Sequence, residues 1–106
     1  MASEQEYGDI ATEVIFENDR VRIWRMDLAP GEETAMHRHD CDNILVMISG
    51  DRIAAVPSPD TKGPYKDYLE ADVEPGMVIY VEKGGIEIAR NVGRERYHEI
   101  IVELKD

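Results

Sequence analysis

The chain of 106 residues contains a single cysteine, Cys41, so no internal disulfide can form. It has no apolar run near the ~20 residues that a membrane-spanning helix needs. Positive charge is scarce: 12 Lys and Arg stand against 23 Asp and Glu, for a net charge of −11. Such a surface repels phosphate backbones and anionic lipid, which excludes nucleic acid and membrane surfaces as primary partners. The start, MASEQEYGDI, lacks the basic segment and apolar stretch of a secretory signal, and cytoplasmic residence is expected. Also missing are a phosphate-binding Gly loop, a Ser nucleophile motif and a paired Cys motif. Their absence removes nucleotide hydrolysis, serine-hydrolase chemistry and thiol redox. Nor does any segment sustain a helical period.

What remains is a punctuated β pattern. An apolar fraction of 42% and a charged fraction of 33% suit a globular chain. The length suits one domain, residues 1–106, able to bury a core without disulfides. Met1 to Gly8 is polar and reads as a flexible arm. Thr12 to Phe16 is β-branched and apolar, a strand, and Asn18-Asp19 is a turn signal. Val21 to Leu28 alternates, with Trp24, Met26 and Leu28 on one face. Further strands are expected over Ile44–Ile48, Ile53–Val56, Met77–Val81, Ile86–Asn91 and Tyr97–Leu104, separated by Gly, Pro and Asn turns. Tyr65 to Leu69 reads as a short strand or a turn of helix. In the last strand, His98, Ile100, Val102 and Leu104 share one face, which is taken as the inward one. Many short strands with frequent turns argue for an all-β sandwich or barrel.

The most informative stretch is GEETAMHRHDCDNILVMISG, from Gly31 to Gly50. In an extended segment His37 and His39 point the same way, with Cα atoms roughly 6.6 Å apart. Two imidazoles at that spacing can converge on one ion, and imidazole suits Zn, Fe, Cu and Ni. The same spacing also fits two solvent-facing histidines in a polar loop. The framing glycines decide in favour of a motif. Gly31, His37, His39, Asn43 and Gly50 resemble the first motif of the cupin superfamily, G-x5-H-x-H-x3,4-E-x6-G, with Asn43 where that family has a ligating Glu. The stretch GMVIYVEKGGIEIARN, from Gly76 to Asn91, resembles the second motif, G-x5-P-x-G-x2-H-x3-N, with Glu82 for the Pro and Glu87 for the third His.

The resemblance implies a small jelly-roll barrel, a double-stranded β-helix. It also implies one divalent transition metal, Fe, Zn, Ni or Mn, and a homodimer, with Thr12 to Phe16 as the segment exchanged between subunits. Strand parity puts Cys41, Asn43, Leu45 and Met47 beside His37 and His39 and facing the cavity. It puts Glu87, Ala89 and Asn91 on one face of the second motif, leaving Ile86 and Ile88 outward. If Glu87 faces inward, His37, His39 and Glu87 make a two-His, one-carboxylate set suited to non-haem Fe(II) or catalytic Zn. The alternative is a surface glutamate beside a two-ligand metal site, or no metal at all. His98 is the reserve ligand and otherwise lines the pocket. Tyr80, Tyr68 and Trp24 are further candidates for its wall, while Arg38 is expected to face away and pair with surface carboxylates.

Two functions follow. The first is a metal-dependent enzyme acting on a small polar molecule, of dioxygenase, isomerase or lyase type. The run from Glu17 to His39 is similar to small bacterial cupins assigned to β-alanine degradation. The second is a small-molecule binder or sensor that keeps the barrel without the chemistry.

Overall fold

The computed structural model describes residues 7–105. Among them nine strands form and no helix: β1 (Glu13–Glu17), β2 (Val21–Leu28), β3 (His37–Arg38), β4 (Asn43–Ser49), β5 (Arg52–Pro57), β6 (Leu69–Asp72), β7 (Val78–Val81), β8 (Ile86–Asn91) and β9 (Tyr97–Leu104). No helix among these residues is long and apolar enough to cross a membrane. The strands form a five-stranded sheet, β1-β2-β9-β4-β7, and a four-stranded sheet, β3-β8-β5-β6. Every pairing is antiparallel. The result is the jelly-roll double-stranded β-helix.

Local chemistry explains the main turns. The Asn18 side-chain oxygen accepts the N–H groups of Arg20 and Val21 at 2.8 and 2.9 Å, which folds β1 back on β2. Gly50 closes the β4–β5 turn at φ +124, a conformation that side chains resist. A Cβ there would also meet Tyr97 Cδ1 at 2.9 Å. Asn91, which ends the second motif, holds two segments together: its amide donates to the Leu28 and Glu95 carbonyls at 2.9 and 2.8 Å.

Alternation places the core. Trp24, Met26 and Leu28 of β2 are buried together with Met47 of β4 and Tyr97 and Ile101 of β9. Partly buried Leu45, Ile53, Ile79 and Ala89 pack against them. Three expectations need correction. The last strand turns the other way: Tyr97, Glu99, Ile101 and Glu103 are its buried residues. Register forces this, because Leu28, Met26 and Trp24 stand opposite Tyr97, Glu99 and Ile101. Ile86 is 6% exposed in the single chain, so no second subunit is needed to cover it. Residues 65–68 are irregular, and the strand begins at Leu69 and runs to Asp72 against β5. The expected arm lies mostly outside the described residues, but Gly8 is tied down, its N–H donating to the Met36 carbonyl at 2.9 Å.

Candidate metal and ligand site

β3 and β8 bring the two motifs together. In their ladder His37 stands directly opposite Glu87, and Arg38 opposite Ile86. Directly opposed residues on one face hold their Cβ atoms about 4.5–5.5 Å apart. The pairing continues one step beyond the strand, because the His39 N–H donates to the Gly85 carbonyl at 2.8 Å and the Gly84 N–H to the His39 carbonyl at 2.8 Å. His39 therefore faces a residue with no side chain. A Cβ on Gly85 would lie 3.1 Å from Glu87 Oε1 and 3.6 Å from His39 Cδ2, so that glycine leaves the space in which imidazole and carboxylate meet. One ligand-type atom from each of His37, His39 and Glu87 lies within 4.8 Å of the others.

The donor set suits a cation. His37 Nδ1 is 2.9 Å from the Ala35 carbonyl, which can only accept, so Nδ1 carries the proton and the Nε2 lone pair is free. Burial lowers the pKa of both histidines. That of His39 is pushed down to about 4, with the neighbouring His37 as the second cause. Both rings are thus neutral near pH 7, the form that binds metal. Burial raises the pKa of the Glu87 carboxyl, and among the described residues no lysine or arginine pairs with it. A bound cation would supply the missing countercharge. Asn43 is fully buried, with Nδ2 3.4 Å from His39 Nδ1 and 3.3 Å from the Cys41 carbonyl. Its Oδ1 is the one buried side-chain polar atom without a hydrogen-bond partner among the described residues. An orphaned oxygen beside an imidazole is a further donor turned to no protein group.

The cluster sits on a cavity of about 120 Å³, on a measure where one water needs about 10–15 Å³. Its walls are largely apolar, with Met26, Leu45, Met47, Ile53, Ile79 and Ile101 among them. Half-exposed Tyr65 and Leu69 stand at its rim. Asn43, Leu45 and Met47 line it, as do both histidines and Glu87.

Five expected wall residues lie elsewhere. Cys41 is not on the cavity, because the chain leaves extended geometry between β3 and β4 and bends at that residue; the inward face resumes at Asn43. His98 points away from the cavity on the half-buried face of β9, with Nε2 3.7 Å from Asp27 Oδ1. Tyr68 and Tyr80 are exposed, their hydroxyls donating to Glu70 and Asp42 at 2.6 and 2.7 Å. Trp24 lies in the core, with its indole N–H donating to Glu103 at 2.5 Å. Arg38 pairs with Asp40 at 2.7 Å.

Sequence reasoning missed Glu99, which lines the cavity at 5% exposure. Its signal was the alternation Tyr97-Glu99-Ile101-Glu103 read with the opposite hand.

Residues 4–96 match the family described as auxin binding protein. An auxin-binding protein of Nicotiana tabacum is 27% identical over 96 residues, 90% of this chain and 51% of that protein. Auxin-binding protein 1 of Arabidopsis thaliana is 25% identical over 93 residues, 88% of this chain and 46% of that protein. The chain spans about half the length of the curated relatives it matches. Among solved structures, a cupin domain from Bordetella pertussis Tohama I has a TM-score of 0.76 at 21% identity, covering 98% of this chain and 100% of its own. An RmlC-like cupin with a double-stranded β-helix fold from Methanocaldococcus jannaschii gives 0.70 at 17%, covering 99% and 94%. These likenesses establish the cupin fold, and the family match across most of the length makes this chain a member of the auxin-binding protein family.

Proposed function

We propose that this protein is a metal-assisted binder of a small organic anion with a flat apolar body. The observation that carries the reading is the convergence of His37, His39 and Glu87, within 4.8 Å, on a cavity with mainly apolar walls. The names of the relatives agree with it, since an auxin in the chemical sense is an aromatic ring bearing a carboxylate. The apolar walls suit the ring. A divalent Fe, Zn, Ni or Mn ion held by the three side chains would offer the carboxylate a Lewis-acidic partner. The chain's own part is to keep two imidazoles neutral, to orient His37 through the Ala35 carbonyl, and to exclude water with methionine and isoleucine side chains.

A metal-dependent enzyme, as in the β-alanine-degradation cupins that the Glu17–His39 run resembles, is the second reading. Glu99 favours it, because a cavity carboxyl with its pKa raised by burial to about 7 is matched to proton transfer.

The test is elemental analysis of wild type and the His37→Ala/His39→Ala variant after expression with iron and zinc, followed by calorimetric titration with indoleacetate. Wild type is expected to carry close to one metal per chain and to bind indoleacetate, and the double variant to do neither. A wild type devoid of metal under those conditions, or indoleacetate binding unchanged in the double variant, would sink the reading.

A further inference from the structure

Three acidic side chains point inward on the two strands that frame the cavity: Glu87 on β8 and Glu99 and Glu103 on β9. Two are accounted for. Glu87 belongs to the metal-binding set, and Glu103 accepts the Trp24 indole N–H at 2.5 Å with Arg22 3.6 Å away. Glu99 is only half used. The Tyr97 hydroxyl, two residues away on the same face, donates to its Oε1. No donor among the described residues reaches its other oxygen, which is open to the cavity and not sealed in the core as Asn43 Oδ1 is.

The surroundings of Glu99 are unfavourable for a purely structural carboxyl. It sits on the central strand of the five-stranded sheet, opposite Met26 on one side and Met47 on the other. Those methionines are 2% and 3% exposed. A carboxyl bordered by thioether side chains loses hydration that one tyrosine does not replace. Burial and the charge of Glu87 accordingly raise its pKa to about 7. An apolar residue would fill the same place at lower cost, so the side chain has a use for its free oxygen.

We propose that Glu99 is a second polar pole of the cavity, accepting a hydrogen bond from an N–H or O–H group on the apolar body of the ligand. This rests on the reading of the cavity as a small-molecule site and specifies the ligand further. Asn43, beside His39, and Met47, opposite Glu99, are four residues apart on β4, roughly 13 Å of strand at ~3.3 Å each. Side chains stand roughly perpendicular to a strand, so the metal-binding set and Glu99 address different levels of one cavity. The ligand class is therefore a molecule with an anionic head for the metal and a hydrogen-bond donor on its apolar body.

Neutral rings test Glu99 without involving the metal. The probes are indole and benzothiophene, isosteres in which N–H is replaced by sulfur, titrated against zinc-loaded full-length chain and followed by NMR chemical shifts. Wild type is expected to bind indole about tenfold tighter than benzothiophene, since a site built to accept a hydrogen bond discriminates against the analogue that lacks it. Glu99→Gln keeps an acceptor oxygen and should retain most of the preference. Glu99→Leu should bring the ratio to about one while still binding benzothiophene. The His37→Ala/His39→Ala variant should keep the preference even if indoleacetate binding is lost, which separates failure of the metal site from failure of this pole. Equal affinities in wild type, a preference that survives Glu99→Leu, or no binding of either ring would overturn the assignment.

Discussion

Asn43 occupies the position where the cupin motif carries a carboxylate ligand, and it is fully buried with an unpaired side-chain oxygen. A neutral amide oxygen is a weak donor to a transition metal, whereas a carboxylate of the same shape brings a full charge. Asn43→Asp is therefore expected to destabilise the metal-free protein by roughly 1–3 kcal/mol, the penalty of a buried group without its partners. Zinc should reverse that loss, so its stabilising shift in thermal unfolding should exceed the wild-type shift by several degrees. Equal zinc shifts in both proteins would mean that the side chain faces no ion. The residues named from the sequence divide along physical lines. His37, His39 and Glu87 could be brought together on paper because regular two-residue alternation and a motif spacing both pointed to them. Cys41 could not be placed, because it sits at a bend between two strands, where two-residue alternation says nothing of a side chain's direction. Glu99 was hidden for another reason: a charged residue between His98 and Ile100 on a last strand looks like a solvent face until the neighbouring strand's register is known.

Elements were legible where apolar alternation is uninterrupted, as in β2 and β8, whose ends match the expected Val21–Leu28 and Ile86–Asn91. β6 escaped notice because its sequence, LEAD, alternates over four residues only and lies in a largely exposed strand. Its existence follows from its neighbour, since Arg52 to Ala55 of β5 stand opposite Leu69 to Asp72. The turns offer a sharper test of the fold. Gly31 and Gly50 both have positive φ, +87 and +124, but a Cβ on Gly31 meets nothing within 4 Å while one on Gly50 meets the Tyr97 ring at 2.9 Å. Gly31→Ala should therefore cost about 1 kcal/mol, the conformational term alone. Gly50→Ala should cost about 2 kcal/mol or more in urea unfolding, because the ring that supports Glu99 must also move. Equal losses would mean that the contact with Tyr97 is easily relieved. At the sheet edge, β1 pairs with β2 of its own chain and leaves Val14, Ile15 and Phe16 42–51% exposed. We propose that this edge mediates a homodimer, since bare apolar edge strands invite pairing. Light scattering at micromolar concentration should give twice the chain mass for wild type and the chain mass for Ile15→Lys/Phe16→Lys. A monomeric wild type would remove the dimer.

Across the molecule, the buried ionisable groups set opposing responses to pH. The Glu99 carboxyl is raised on folding from 4.5 to about 7, so the folded state holds that proton more tightly. Its contribution to stability is complete below about pH 4.5 and is lost as pH rises through 7. His39 moves from 6.5 to about 4, so the folded state holds that proton less tightly. Its contribution is complete above about pH 6.5 and is lost as pH falls through 4. His37, lowered by burial in the same direction, adds to the histidine slope. Each of the two larger shifts corresponds to on the order of 3 kcal/mol, and their windows overlap. The metal-free wild type should accordingly show a shallow profile between about pH 4.5 and 6.5. Removing one member exposes the other. With chelator present, the urea midpoint of Glu99→Gln should climb more steeply with pH than that of wild type through this range, because Glu87, its carboxyl also raised by burial, is then the one buried acid left against the histidines. His39→Asn should do the reverse and fall with pH, as Glu99 and Glu87 ionise with His37 alone opposing them. The exposed carboxylate of Glu17, held at about 2 by Arg22 and Lys105, titrates below this window and leaves both trends untouched. A Glu99→Gln profile parallel to that of wild type would show that Glu99 carries no shifted proton and that its place beside Met26 and Met47 is better hydrated than the fold implies.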